Sequence, residues 1–308
     1  MQILDKIEHI NKGTSVALGY FDGVHIGHQA VISRAAGDAK IGLIPTVFTF
    51  DDNPQQSLTG KMIPRLTDAK TKENLLRNMG IELLLRVNFN SIKNISAEDF
   101  IEKILIGNLN AKRVYCGFNY HFGFGGKSGV RELKQFCQQR GIEVQEIPRV
   151  LVGGVTVSSS EIRKMISSGK IEQANSFLGR HFGYSFDVSE GRKLGRTIGI
   201  PTLNQAFPKD FILPKFGVYL SIVKLNGDTT WGVTNIGVKP TVGSEYPLSE
   251  TWLPDYKCEN MYGKSIDVEL IKFIRPEKKF RNLIELKSAI KNDEVIAKRI
   301  LYNENHLL

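Results

Sequence analysis

The chain has 308 residues, 41% hydrophobic and 24% charged, a globular composition that excludes collagen-like, mucin-like and disordered classes. At about 150 residues per domain this length predicts two domains. A formal charge of +9, with no run of five basic residues, argues for dispersed attraction to anions and against a basic arm for nucleic acid. Three cysteines (Cys116, Cys137 and Cys258) without a CxxC give neither a disulfide framework nor zinc spacing. No apolar signal-peptide core and no run of about 18 apolar residues is present, so the expectation is a cytoplasmic protein with no membrane and no nucleic-acid partner.

In chain order, "TSVALGYF" predicts a buried strand, and "HQAVISRAAGDAK" a helix with Ala30, Val31, Ala35 and Ala36 on its apolar face. "IGLIPTVFTF", "IELLLRVNF", "AKRVYCGF" and "IEVQEIPRV" predict further strands. Between them, "TKENLLRNMG", "AEDFIEKILIGNL" and "VRELKQFCQQRG" predict helices, the first closed by Gly80 and the last by Gly141. This alternation predicts βαβ units on a parallel sheet. The texture changes after about Gly183, which places domains at 1–183 and 184–308. "GVYLSIVKLNGDTTWGVTNIGV" predicts a hairpin turning at Asn226-Gly227, and "SIDVELIKFI" alternates as a half-buried strand does. The second half therefore predicts a small barrel or sandwich, ending in a helix over "LIELKSAIKNDEVIAKRILY".

Three stretches carry chemistry. "GYFDGVHIGH", from Gly19 to His28, sets two imidazoles after a strand and near a helix start. The carboxyl end of a parallel strand collects ligands, and a helix start offers N–H groups and positive charge that suit phosphate. Gly27 would let a phosphate approach the backbone. A structural histidine, or two ligands of a metal without a visible third, fit the residues as well. In "VSSSEIRKMISSGKIEQANSFLG", Ser159 or Ser160 is the expected helix cap, and Arg163 in the first turn opposes the helix dipole unless an anion offsets it. "EGRKLGRTIGIPTLN" joins Gly191, Gly195 and Gly199 to Arg192, Lys193 and Arg196, a loop whose amides can surround phosphates. The Thr202 hydroxyl and the Asn204 carbonyl are hard oxygen ligands suited to Mg2+. "HFGFGGKS" matches only the end of a P-loop, because His121 stands at the first glycine.

Taken together, these stretches resemble the bifunctional riboflavin kinase/FMN adenylyltransferase family. "GVHIGH" resembles the HxGH signature of nucleotidyltransferases, "SSSEIR" the SSTxIR-type motif, and "GRTIGIPTLN" the GRxLGFPTAN motif of riboflavin kinases. "NIGVKPTVG" and "SETWLPDYKCENMYG" are similar to two further family segments. The resemblance implies a Rossmann-like α/β nucleotidyltransferase domain with a parallel sheet, then an antiparallel β-barrel with a terminal helix. It implies that ATP phosphorylates riboflavin to FMN in the second domain and adenylylates FMN to FAD in the first, with only one retained activity as the alternative. ATP in the first domain is implied at Gly19, Phe21, His25, His28, Ser159, Ser160 and Arg163, with His28 and Arg163 stabilising the reacting phosphates. Flavin is implied at Asn119. ATP in the second domain is implied at Gly191, Lys193, Gly195, Arg196, Pro201, Thr202 and Asn204, with Mg2+ on Thr202 and Asn204 and Glu250 as catalytic base. Asn53, Asn119 and His121 stand where many relatives have His, Asp and Arg.

Overall fold

The structure, a computed structural model, describes residues 1–191, 194–241, 244–256 and 261–303. Two compact units divide the chain. One holds Met1–Ile63 and Ala69–Ser159, the other Pro64–Asp68 and Ser160–Leu308.

The first unit is built on six parallel strands: β1 (Gln2–Leu4), β2 (Thr14–Leu18), β3 (Ile44–Phe50), β4 (Leu83–Val87), β5 (Ala111–Gly117) and β6 (Glu143–Ile147), in the order β1-β4-β3-β2-β5-β6. The central strands β2, β3 and β4 are rich in apolar residues and mostly buried, because helices cover both faces. Ala17, Val47, Leu84 and Tyr115 pack against Val31, Ile32 and Ala35 of α1 (Ile26–Gly37) and Leu76 of α2 (Ala69–Asn78). Val16, Leu18, Phe48 and Val114 face the other way, toward Ile101, Ile104 and Leu105 of α3 (Phe100–Asn108) and Leu133 of α4 (Val130–Gln138). Two expectations shift here. On α1 the bulky Ile32 joins the buried stripe, and Ala30 and Ala36 lie only at its margin. The helix over "FIEKILIGN" is wound as a π-helix.

The chain lays β2, β3 and β4 to one side, then crosses to lay β5 and β6 on the other. The carboxyl ends of β2 and β5 thus flank a topological switch point, where an open α/β sheet leaves a crevice. The far end of α1 is fastened by Asp38, which accepts hydrogen bonds from Ser15, Tyr115 and Arg113, each at 2.8 Å. Burial alone would raise the Asp38 carboxyl, but these bonds outweigh it and hold the group below its usual 3.8. Burial and the bond to Asp38 push the Tyr115 phenol up to about 12. A depressed carboxyl stabilises the fold above its unfolded pKa and loses that contribution as pH falls through the folded one. Asp38→Ala is expected to cost about 2–3 kcal/mol at neutral pH, because it strands buried partners. In urea melts the gap between wild type and variant should close below pH 4, and a gap of constant size would contradict the assignment.

In the second unit, α5 (Ser159–Ser168, from Ser160 on) and α6 (Ile171–Leu178) precede six antiparallel strands: β7 (Phe182–Ser189), β8 (Thr202–Ala206), β9 (Gly217–Leu225), β10 (Asp228–Thr241), β11 (Ser244–Trp252) and β12 (Ser265–Pro276). They close as β7-β8-β11-β10-β9-β12, with β12 returning to β7, so the structure is a barrel and the sandwich reading falls away. Asn226 (φ 52°) and Gly227 (φ 89°) turn the expected hairpin, both left-handed as that turn requires. The interior is partly polar. Ser221 meets Thr234 at 2.7 Å, Thr234 meets Thr251 at 2.9 Å, and Tyr184 donates to Ser249 at 2.6 Å. The outer face of β9 and β10, through Val218, Leu220, Trp231 and Val233, clusters with Ala297 of α7 (Leu283–Asn303). Arg275 of β12 grips the buried Asp293 of that helix through two bonds of 2.8 and 2.7 Å. The short segment Pro64–Asp68 joins this unit through the Arg65–Asp210 ion pair and a bridge from Arg65 to Phe211.

Candidate active sites

In the first unit, β2 ends at Leu18 and residues 19–25 form a tight loop before α1. Phe21 (φ 55°) and the β-branched Val24 (φ 39°) occupy the left-handed region, at a cost of about 1–3 kcal/mol each. Hydrogen bonds to the loop's carbonyls oppose that strain. The Tyr20 carbonyl accepts from Lys72 Nζ at 2.5 Å and from Thr49 Oγ1 at 2.9 Å. The Asp22 carbonyl accepts from Ser159 Oγ at 2.9 Å, and the Val24 carbonyl from Gln29 Nε2 at 2.9 Å. Phe21 accepts from the Val24 N–H at 3.3 Å. The oxygens that would repel a polyanion are therefore occupied by donors of the protein itself.

His25 caps α1: its Nδ1 accepts from the His28 N–H at 3.2 Å. A neutral imidazole accepting at Nδ1 carries its proton on Nε2, which is then a donor. The rings of His25 and His28 stack with centroids 3.5 Å apart, and Phe21 meets His28 edge-on at 5.3 Å. The glycines of the motif make room for these rings. A Cβ at Gly19 would stand 2.8 Å from Phe21, and one at Gly27 would stand 3.2 Å from His25, so both glycines leave room for a neighbouring ring. Among the described residues no group of three His, Cys, Asp or Glu forms a metal cluster. Asn119 is exposed just past β5, at the rim of the switch point. Asn53 caps residues 54–59 by accepting from the Gln55 N–H at 3.0 Å.

The Ser159–Arg163 expectations are revised. Helical geometry begins at Ser159 itself, and its hydroxyl is spent on Asp22. Glu161 occupies the first turn, in keeping with the dipole, and Arg163 opens the second. Ser160 and Arg163 belong to the second unit, where Arg163 Nε donates to the Pro64 carbonyl at 2.7 Å.

In the barrel the strand register assembles the site. Asn204 of β8 lies opposite Glu250 of β11, and Glu250 opposite Asn235 of β10. Directly opposed residues share a face, so the three form one polar row. Beside it runs the row Thr202, Trp252, Val233 and Leu220, on the face that α7 covers. Asn204 Nδ2 donates to the Thr202 carbonyl at 3.2 Å, and the Gly191 backbone lies against this amide, where a Cβ would stand 2.7 Å away. At Gly195 a Cβ would lie 2.2 Å from the Ile200 carbonyl. The amides of Ile198, Gly199 and Ile200 donate within this turn. Arg196 donates to the Tyr262 hydroxyl at 3.0 Å, and Pro201 is exposed. Lys193, like Cys258, lies outside the described residues.

Two contributors escaped the sequence reading. Asn235 is visible only once β10 is paired with β11. Lys72 had a signal: it falls at the i position of an i, i+3, i+4, i+7 stripe with Leu75, Leu76 and Met79, all packed on the core.

The chain matches two family models, FAD synthetase over residues 7–161 and riboflavin kinase over residues 178–301. A bifunctional riboflavin kinase/FMN adenylyltransferase of Listeria monocytogenes is 34% identical over 295 residues, spanning 94% of this chain and 92% of the relative. The protein of the same description from Bacillus subtilis is 36% identical over the same coverage. A crystal structure described as a macrolide-efflux protein of Streptococcus pneumoniae superposes with a TM-score of 0.86 at 27% identity, covering 96% of this chain and 98% of that one. Among the described residues no helix is long and apolar enough to cross a membrane.

Proposed function

The chain belongs to the bifunctional riboflavin kinase/FMN adenylyltransferase family, and from that premise we propose that it converts riboflavin to FAD in two ATP-consuming steps. Kinase chemistry is assigned to residues 184–308 and adenylyl transfer to residues 1–183. The observation that carries the reading is the row Asn204–Glu250–Asn235, which sets a carboxylate beside hard oxygen ligands on one barrel face.

In the kinase step the Glu250 carboxylate accepts the proton of the ribityl 5′-hydroxyl as that oxygen attacks the γ-phosphorus of ATP and ADP leaves. Gly191, Lys193, Gly195, Arg196 and Pro201 line the ATP phosphates in this reading. The Thr202 hydroxyl and Asn204 Oδ1 suit Mg2+, which supplies charge to offset the phosphates when bound. The fit is supported by the contact of Asn204 with Gly191 and by the bond from its Nδ2 to Thr202, which commits the amide nitrogen and leaves the oxygen as the ligand atom.

In the adenylyl step an FMN phosphate oxygen attacks the α-phosphorus of ATP and pyrophosphate departs. No protein nucleophile takes part, so the protein acts by alignment and charge stabilisation. His25 and His28 donate to the triphosphate, Gly19 and Phe21 shape the loop that carries them, Ser159 holds that loop through the Asp22 carbonyl, and Asn119 faces the flavin. Chromatography of products from riboflavin with excess MgATP tests the whole reading. FAD is expected, with FMN as a transient. FMN alone would leave only the kinase, and neither product would overturn the proposal.

A further inference from the structure

We propose that Lys72 is a positioning residue for adenylyl transfer: it grips the loop beneath His25 and His28 and fixes the conformation in which both imidazoles meet the triphosphate. The inference rests on the adenylyltransferase reading above. Lys72 stands on α2 at the head of the apolar stripe formed by Leu75, Leu76 and Met79. Its Nζ donates to the Tyr20 carbonyl at 2.5 Å and to Thr49 Oγ1 at 3.0 Å, and it stands 4.9 Å from the centre of the Tyr20 ring. Thr49 in turn donates to the same carbonyl, so α2, β3 and the loop meet at one oxygen.

Lys72 is half-buried, and drawing its ammonium out of water is costly, so a group retained there needs a return beyond packing. Here the return is a charged hydrogen bond at the residue preceding Phe21, where the left-handed excursion of the loop begins. The charged groups around Lys72 are Asp22, which is 4% exposed and favours the ammonium, and Arg86, which opposes it. Arg86 is itself paired with Asp5 and Glu73. Burial dominates and brings the ammonium down to about 8, so the grip loosens as pH rises through that value.

The test uses the whole chain, whose kinase serves as a control for folding. If wild type makes no FAD from FMN, the proposed function fails before any variant is compared. If it does, Lys72→Met is expected to lower kcat for FAD formation about 100-fold, the effect of a small misplacement, with the KM for FMN nearly unchanged and riboflavin phosphorylation within twofold of wild type. Lys72→Arg, which keeps the charge, is expected to recover at least part of the loss and to move the alkaline limb of the pH profile above its wild-type position near 8. A Lys72→Met enzyme that forms FAD at more than a third of the wild-type rate overturns the proposal, as does a Lys72→Arg enzyme with the wild-type limb. Should Lys72→Met prove insoluble, Thr49→Val removes one of the ammonium's two acceptors and decides the matter. A fall of about fivefold in FAD formation supports the role, and an unchanged rate overturns it.

Discussion

Glu250→Gln lowers riboflavin phosphorylation by about 10²–10⁴-fold, the span that general-base catalysis supplies, and leaves FAD formation from supplied FMN within twofold of wild type. The glutamine keeps the size and place of the side chain on β11, opposite Asn204 and Asn235, but can no longer take a proton. Binding should therefore survive while turnover collapses, so the loss belongs in kcat and the KM for riboflavin should stay within a few-fold. Product assays at saturating riboflavin and MgATP check this. A variant that still turns over at a third of the wild-type rate would remove Glu250 from the role of base. One that loses both reactions together would point to misfolding, which a melting curve of the barrel resolves.

His28→Ala gives the reciprocal pattern. FAD formation from FMN falls by about 10–100-fold, the worth of one hydrogen bond to a charged group, while riboflavin is still phosphorylated and FMN accumulates. The imidazole of His28 is stacked on His25 and braced by the edge of Phe21, so truncation also removes the support that orients its partner. The loss should therefore exceed that of His28→Asn, which retains a donor. FAD formation unaffected by His28→Ala would separate this loop from the chemistry.

Both architectures were legible because their patterns are local. Strands rich in apolar residues between amphipathic helices announce a covered parallel sheet. The pair Asn226-Gly227 announces its hairpin because each residue tolerates the left-handed backbone that the turn imposes. The choice of barrel over sandwich was not legible from alternation, which both share; it depends on β12 returning to β7, a pairing of residues far apart in sequence. The closeness of the His25 ring to Gly27 was not legible, because spacing shows that a side chain is missing without showing what stands beside the gap. The bonds of the Ile198, Gly199 and Ile200 amides were not legible either, because their acceptors lie within the turn itself. The loan of residues 64–68 to the second unit has no compositional mark: the Arg65–Asp210 ion pair, the bridge to Phe211 and the bond from Arg163 to Pro64 attach them.

The closed ring of β7 to β12 bears on how freely the kinase can change. Side chains on a strand alternate between the packed interior and the outer face, so inserting or deleting one residue in β8, β10 or β11 would swap Asn204, Asn235 or Glu250 with a neighbour that belongs inside. A ring without a loose edge cannot absorb such a slip by sliding its last strand. Mutation can thus alter which side chains stand in the row with little penalty to the scaffold, but changing their spacing requires rebuilding the whole cylinder. Innovation in substrate choice is accordingly channelled into the connecting loops and the covering helix.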